Sequence, residues 1–250
     1  MASTDYSAGL DRLLALVTPD LREHVDLENL AAISAWGTVF NAIHYARGLR
    51  ALHDADLCAS AVPVLRSLLE FTVGTMWLSD AGQEAVEVLN RGLAYSQDKL
   101  HRSLEHADDL ADWRERFPEE ALNVFDRVRA ADLGAHPDQY LLSGFKHLLE
   151  AYGFEGWVPI YNVLSTLSHL QLTAVERYVR TVPGGWSLSQ TPLGGELAPC
   201  PGMAFSLLLD AMAAFDTLMV DRLWQAQLED IAAEYGATIT YAKRKSKKRA

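Results

Sequence analysis

Two segments of the sequence carry polar side chains in a pattern that could form a binding or catalytic site. Arg66 and Glu70 are four residues apart in an otherwise apolar stretch, so a helix would place them on one face. Tyr161, Ser165 and His169 recur at helical intervals in a second stretch. A charge buried without a partner is costly, so Arg66 and Glu70 are expected to contact polar groups on other elements. We therefore predict that the five side chains meet in a buried polar pocket.

The residue types suggest a role for each of these side chains. The planar guanidinium of Arg66 suits a carboxylate or phosphate group, and Tyr161 and Ser165 are predicted to line the same ligand-binding site. Glu70 and His169 are the predicted catalytic residues, because a carboxylate and an imidazole can each accept and return a proton. A serine hydrolase is disfavoured, because the sequence has no Gly-x-Ser-x-Gly motif. The alternative is a non-enzymatic binding module. In it the polar cluster is a structural network that only fixes helix packing, and an exposed apolar face or the basic tail recruits a partner.

One acidic motif offers a different chemistry. Asp108, Asp109 and Asp112 follow the Asp-Asp-x-x-Asp pattern with which class I terpene synthases hold magnesium around a diphosphate. No second aspartate-rich motif accompanies it, and the Glu-x-x-His and His-Glu-x-x-His metal templates are absent. We therefore predict no cofactor and no metal, with magnesium expected only under the terpene-synthase alternative. Arg47 and His53 also match, loosely, the Arg and His spacing of the helical HEPN ribonucleases.

The charge distribution limits the partners of the chain. The formal net charge is −11 over 250 residues, yet residues 243–249 supply six of the 22 basic residues and no acidic one. The remaining body carries 16 basic residues against 33 acidic ones and would repel nucleic acid over most of its surface. A small anionic ligand is the expected partner, and nucleic acid could bind only through a local groove or the basic tail. We predict one helical domain over residues 1–240 and a disordered basic tail over 241–250.

Hydropathy and cysteine content indicate a cytoplasmic protein. The sequence has a mean hydropathy of −0.02 and no apolar run of membrane-spanning length, and its first residues lack the features of a signal peptide. The two cysteines, Cys58 and Cys200, form neither a disulfide framework nor a zinc motif. A membrane protein and a disulfide-stabilised secreted domain are therefore disfavoured.

Apolar residues recur at helical intervals along most of the chain. Long helices are predicted over residues 26–53 and 83–106, and a last long helix over 203–235. Clustered glycines and prolines predict a loop-rich insertion over 179–203, with a short strand at 186–190. The expected fold is an all-α, single-domain bundle of seven to nine helices.

The two polar segments also resemble a known family. The stretches Leu-Arg-Ser-Leu-Leu-Glu at 65–70 and Tyr-Asn-Val-Leu-Ser-Thr-Leu-Ser-His at 161–169 are similar to an uncharacterised bacterial helical family, domain of unknown function 5677. The resemblance covers roughly residues 40–180. Its Arg-x-x-x-Glu and Ser-x-x-x-His helices correspond to Arg66, Glu70, Ser165 and His169. It implies a helical fold and a polar site without implying a known reaction.

Overall fold

A computed structural model describes residues 5–105, 144–152, 156–168, 178–189 and 201–240. These residues form eight α-helices, one 3₁₀ helix and a two-stranded antiparallel sheet, so the fold is all-α as predicted. The helices are α1 (Tyr6–Ala15), a 3₁₀ helix (Pro19–His24), α2 (Leu30–Asp54), α3 (Cys58–Ala81), α4 (Gln83–Glu105), α5 (Phe145–Ala151), α6 (Trp157–Ser168), α7 (Pro201–Asp216) and α8 (Gln225–Glu234). The strands are β1 (Val179–Val182) and β2 (Gly185–Leu188).

Helices α2 and α3 form the central pair of the bundle. Only three residues join them, and Gly48 lies beside Val64 while Thr38 bonds Thr75, so the two helices run antiparallel. A row of buried alanines lets the backbone of α2 approach its neighbours closely: Ala31, Ala32, Ala35, Ala42 and Ala46. Close approach increases the number of dispersion contacts that each helix makes in the core.

Helix α7 lies parallel to α3 and completes the core. The Thr72 hydroxyl donates to the carbonyl of Leu207. Two helical turns later on both helices, the Ser79 hydroxyl donates to the carbonyl of Ala214. Both hydroxyls also bond the carbonyl four residues earlier in α3, so each shares its hydrogen between two acceptors. These bonds satisfy polar side chains inside an apolar interface and fix the register of the two helices.

The remaining helices pack around this core. Helix α1 packs mainly on α7, α4 contacts α2 and α3, and α5 and α6 cover one side of α3. Helix α8 contacts α7 and α1. The largest side chains in the resulting core are fully buried aromatic residues: Trp77, Tyr152, Phe205, Phe215 and Trp224.

Side-chain caps decide where two of the helices begin. Asp5 accepts hydrogen bonds from the backbone amides of residues 7 and 8 and so starts α1. Asn29 does the same for residues 31 and 32, so α2 begins at Leu30 rather than at residue 26 as the sequence predicts. The reason is that Asp26 accepts the amide hydrogen of Glu28 in a tight turn, which leaves the capping position to Asn29.

The prediction of a single long helix over 203–235 is wrong, because the structure has two helices there. Helix α7 ends at Asp216, and eight residues of turn separate it from α8. The Asp216 carboxylate accepts the backbone amide of Trp224 at 2.7 Å, which closes this turn. Within the turn, Met219 forms an isolated antiparallel bridge with Val25. This bridge pairs the turn with the residue that follows the 3₁₀ helix.

The region predicted as loop-rich contains a β-hairpin in its first part. Val179–Val182 pairs with Gly185–Leu188, so the predicted strand at 186–190 starts one residue earlier, ends at residue 188 and has a partner strand that the sequence did not predict. Pro183 and Gly184 form the turn, where Gly184 has a φ of 94° that favours glycine. Residues 190–200 lie outside the described residues, as does the predicted tail at 241–250, and the division into domain and tail stays a prediction.

Candidate functional site

Arg66 and Glu70 lie one turn apart on α3, on the side that faces α6. Their interaction is an ion pair with 3.1 Å between Arg66 Nε and Glu70 Oε1. The arginine precedes the glutamate, which is the weaker orientation for such a pair on an isolated helix. A contact from another element is therefore needed to hold both side chains in place.

Tyr161 of α6 supplies that contact. Arg66 Nη2 donates a hydrogen bond to the Tyr161 hydroxyl oxygen at 3.2 Å, and the hydroxyl donates in turn to Glu70 Oε1 at 3.1 Å. The guanidinium carbon also lies 5.3 Å from the centre of the Tyr161 ring, within cation–π range. Arg66, Glu70 and Tyr161 thus form a closed triangle of polar contacts, which we call the Arg66 cluster.

Helix α5 also holds Tyr161 in place through a contact between aromatic rings. The ring of Phe145 packs against the ring of Tyr161 with 4.9 Å between their centres. At the other end of α5, the hydroxyl of Tyr152 donates to a carboxylate oxygen of Asp80 on α3 at 3.3 Å. Three helices therefore fix the orientation of the Tyr161 ring, and with it the geometry of the cluster.

The Arg66 cluster is partly exposed, which corrects the expectation of a buried pocket. The side chains of Arg66 and Glu70 keep 23% and 35% of their surface accessible. Helix α6 packs along α3, and the Arg66 cluster lies at the border between the two helices. A guanidinium and a carboxylate held at such a border can reach a ligand without an entry channel.

The other predicted site residues lie either outside the Arg66 cluster or outside the described residues. Ser165 lies one turn after Tyr161 on α6 and is half-buried. His169 comes directly after the last residue of α6 and lies outside the described residues, so its predicted catalytic role stays a prediction. Asp108, Asp109 and Asp112 also fall outside the described part of the chain, so the terpene-synthase alternative stays a prediction too. Arg47 and His53 are exposed on α2.

A family comparison covers this site. A model of the DUF5677 family, described as a family of unknown function, matches residues 35–185. The chain belongs to the DUF5677 family. The matched region agrees with the resemblance seen in the sequence to within a few residues at each end. No curated protein and no solved structure matches the chain.

The DUF5677 match includes the whole Arg66 cluster and excludes another set of polar groups. It extends from within α2 to the start of β2, whereas α1, α7 and α8 lie outside it. The elements that position Arg66, Glu70 and Tyr161 are therefore all elements of the DUF5677 region. Any site built on α7 and α8 is an addition to that region.

Helix α7 carries two buried carboxylates that the sequence interpretation missed. Asp210 and Asp216 are 4% and 1% exposed in a helix that is otherwise almost entirely apolar. Asp210 accepts hydrogen bonds from the backbone amide and hydroxyl of Thr240. Burial raises the pKa of Asp216, while the Trp224 amide and Arg222 act in the opposite direction. A charge inside an apolar helix was the signal that identified Arg66 and Glu70, and the same signal would have found both aspartates.

Within the described ranges, no three His, Cys, Asp or Glu side chains are grouped so that they could hold a metal ion. None of the helices in those ranges is both long enough and apolar enough to cross a membrane.

Proposed function

We propose that this DUF5677 protein binds a small anionic, nucleotide-like ligand at the Arg66 cluster. The observation that carries the proposal is a guanidinium held in one orientation by Glu70 and Tyr161 while 23% of its side chain stays accessible. Such a preorganised guanidinium loses little conformational entropy when it binds a phosphate or carboxylate. Because the chain as a whole is acidic, an anion needs a fixed local cation of this kind to bind.

The aromatic residues beside the guanidinium support the nucleotide-like character of the ligand. Phe145 and Tyr161 are both half-buried and pack ring against ring, and the Arg66 guanidinium lies 5.3 Å from the centre of the Tyr161 ring. A planar base can stack on such rings while its phosphate contacts the arginine. A ligand with both an aromatic and an anionic part would use both features of the site.

Hydrolysis of the bound ligand is a second step of the same proposal. Glu70 already accepts two hydrogen bonds, which orients its carboxylate as a proton acceptor for an attacking water. A protonated His169 would donate its own proton to the leaving group, and Ser165 would contact the ligand from α6. A cytoplasmic location belongs to the proposal as well, since the two cysteines of the sequence form no disulfide framework.

The binding step is tested by titrating the full chain with AMP, adenosine and inorganic phosphate in a calorimeter. AMP should bind more tightly than adenosine, because only AMP offers an anion to Arg66. Arg66→Gln should weaken AMP binding about tenfold or more, the usual effect of losing a charged hydrogen-bond donor. The matched control is Arg50→Gln, because Arg50 also pairs with a carboxylate four residues later and is 26% exposed.

The structural-network alternative gives a different result in the same experiment. Under that alternative, Arg66→Gln and Tyr161→Phe lower the melting temperature, and neither AMP nor phosphate binds to the wild-type chain. Equal binding of AMP by the Arg66→Gln and Arg50→Gln variants would also contradict the proposal. Release of phosphate from AMP that is lost in His169→Ala and Glu70→Gln would establish the hydrolytic step.

A further inference from the structure

A cleft opens at the end of α7, and none of its lining residues belongs to the Arg66 cluster. It has a volume of about 480 Å³, within the range of roughly 300–1,000 Å³ that is usual for small-molecule sites. Its walls come from α3, the end of α7, the turn that follows, α8 and the segment after α8. The lining residues are Ser79, Ala213, Asp216, Thr217, Arg222, Gln225, Leu228, Glu229 and Ile239.

The charged residues of the cleft leave it with an excess of negative charge. Among the described residues that line the cleft, Asp216 and Glu229 contribute two carboxylates and Arg222 is the one basic residue. Arg222 Nε stays 3.5 Å from Asp216 Oδ2, and half of the arginine side chain is exposed, so solvent screens this pair. Asp216, whose side chain is only 2% exposed, is thus a desolvated carboxylate whose charge is incompletely balanced.

The remaining contacts orient these carboxylates. The Trp224 amide donates to Asp216 Oδ1 at 2.7 Å, and the side-chain amide of Gln225 donates to Glu229 Oε1 at 3.0 Å. In contrast, the hydroxyls of Ser79 and Thr217 both donate to the carbonyl of Ala214. These hydroxyls therefore present oxygen lone pairs rather than donors, which suits a ligand that donates hydrogen bonds.

Part of the wall is apolar. Ala213, Leu228 and Ile239 line the cleft together with the polar groups, and Leu228 is almost completely buried. An apolar wall beside hydrogen-bond acceptors matches a ligand with a hydrocarbon body and a single donating head group.

We propose that this cleft binds a small organic cation, a primary ammonium group carried on a short apolar or aromatic body. The ammonium donates to the carboxylates of Asp216 and Glu229, and the body packs on Leu228 and Ile239. An anion of the same size would face two carboxylates and one screened arginine, so it is rejected. All but Ser79 of the lining residues lie outside the DUF5677 match, so this site is independent of the function proposed for the Arg66 cluster.

Three ligands of similar size test whether binding requires a positively charged head group. Phenethylamine, 2-phenylethanol and phenylacetate differ mainly in the head group, and each is titrated into the full chain by calorimetry at one fixed ionic strength. We expect phenethylamine to bind most tightly and phenylacetate most weakly. Equal affinity for the three, or tightest binding of phenylacetate, overturns the proposal.

Two substitutions on α8 then locate the binding site. Glu229→Gln should weaken phenethylamine binding about two- to fivefold, because Glu229 is exposed and screened. Asp230→Asn is the matched control, since Asp230 is the next residue, equally exposed, and does not line the cleft. An equal loss of phenethylamine affinity in both variants would indicate that an amine is attracted to the acidic protein in general. That result would overturn the proposed site.

Asp216→Asn should weaken binding about tenfold or more, because it removes the desolvated charge. The asparagine oxygen can still accept the Trp224 amide, and a thermal melt establishes that this variant folds. Unchanged phenethylamine binding in a folded Asp216→Asn variant would overturn the assignment of Asp216.

Discussion

Arg222 has a backbone conformation that most residues avoid. Its φ is 48°, in the left-handed region, where any side chain with a Cβ costs about 1–2 kcal/mol. We expect Arg222→Gly to be more stable than Arg222→Ala by about 0.5–1 kcal/mol, after the extra chain entropy of unfolded glycine is subtracted. Both variants lose the same contact with Asp216, so their difference isolates the backbone. Urea denaturation measures it, and equal midpoints would contradict the expectation.

Asp216 should make the stability of the protein depend on pH in an unusual direction. Burial raises the pKa of Asp216 in the folded state above its ordinary value of 3.8, so the folded protein binds this proton more tightly than the unfolded chain. The contribution of Asp216 to stability is therefore largest below the ordinary pKa and is lost as the pH rises through the raised one. The free energy of unfolding of the wild type, relative to Asp216→Asn, should fall as the pH rises above the ordinary pKa of 3.8.

Asp20 provides the control of opposite sign. Its pKa is lowered, chiefly by a hydrogen bond from the Thr18 side chain, so its contribution is present above the ordinary pKa and is lost as the pH falls. The wild type compared with Asp20→Asn should therefore gain relative stability as the pH rises. Urea denaturation below and above pH 3.8 measures both pairs, because Asp20 acts below its ordinary pKa and Asp216 acts above it. The assignment to Asp216 fails if its pair, like the Asp20 pair, gains relative stability as the pH rises.

The polar cluster on α3 could be anticipated because it depends on local patterns. Arg66 and Glu70 stand out in an apolar helix, and the helical period places Tyr161 on a polar stripe. The degree of exposure could not be anticipated, because it depends on how far α6 extends over α3. Asp216 was not predicted as a site residue, because the apolar residues around it match a buried helix. A carboxylate at that position nevertheless needs a partner as much as Arg66 does.

At the scale of elements, the pairing of α3 with α7 rests on hydroxyl groups. Ser79 bonds both its own helix and the Ala214 carbonyl of α7. Among the described residues, the exposed Ser96 of α4 bonds only the carbonyl four residues earlier. Ser79→Ala should lower the free energy of unfolding by about 1 kcal/mol, the usual net value of one internal hydrogen bond. Ser96→Ala should change it much less. Guanidinium denaturation distinguishes them, and an equal effect of the two substitutions would show that the bond between helices contributes nothing.

The break between α7 and α8 shows where a sequence pattern loses its predictive value. The turn from Thr217 to Trp224 contains neither glycine nor proline, and its apolar residues continue the helical period. The chain leaves the helix because Asp216 captures the Trp224 amide and Met219 pairs with Val25. Both contacts involve residues that the helical period does not bring together, so no local propensity encodes them.

At the scale of the whole molecule, a buried carboxylate helps to hold the last described segment to the core, against which Ala237 and Ile239 also pack. Asp210 accepts both the amide and the hydroxyl of Thr240, thirty residues further along the chain. Thr240→Val removes one donor from this carboxylate and should cost about 1–3 kcal/mol, the usual penalty for a weakened buried charge. The control is Thr238→Val, because Thr238 is exposed on the same segment. A thermal melt compares the two variants, and an equal shift would contradict the role of Thr240.

The position of α1 has a consequence for the synthesis of the protein. Leu10 and Leu13 are fully buried, chiefly because α1 packs on α7, and Arg12 pairs with Glu234 at a separation of 222 residues. At about 5–20 residues per second, a ribosome needs roughly 10–40 s between making α1 and making these partners. During that interval the apolar face of α1 lacks most of its cover, so we expect the nascent chain to be more prone to aggregation than the folded protein.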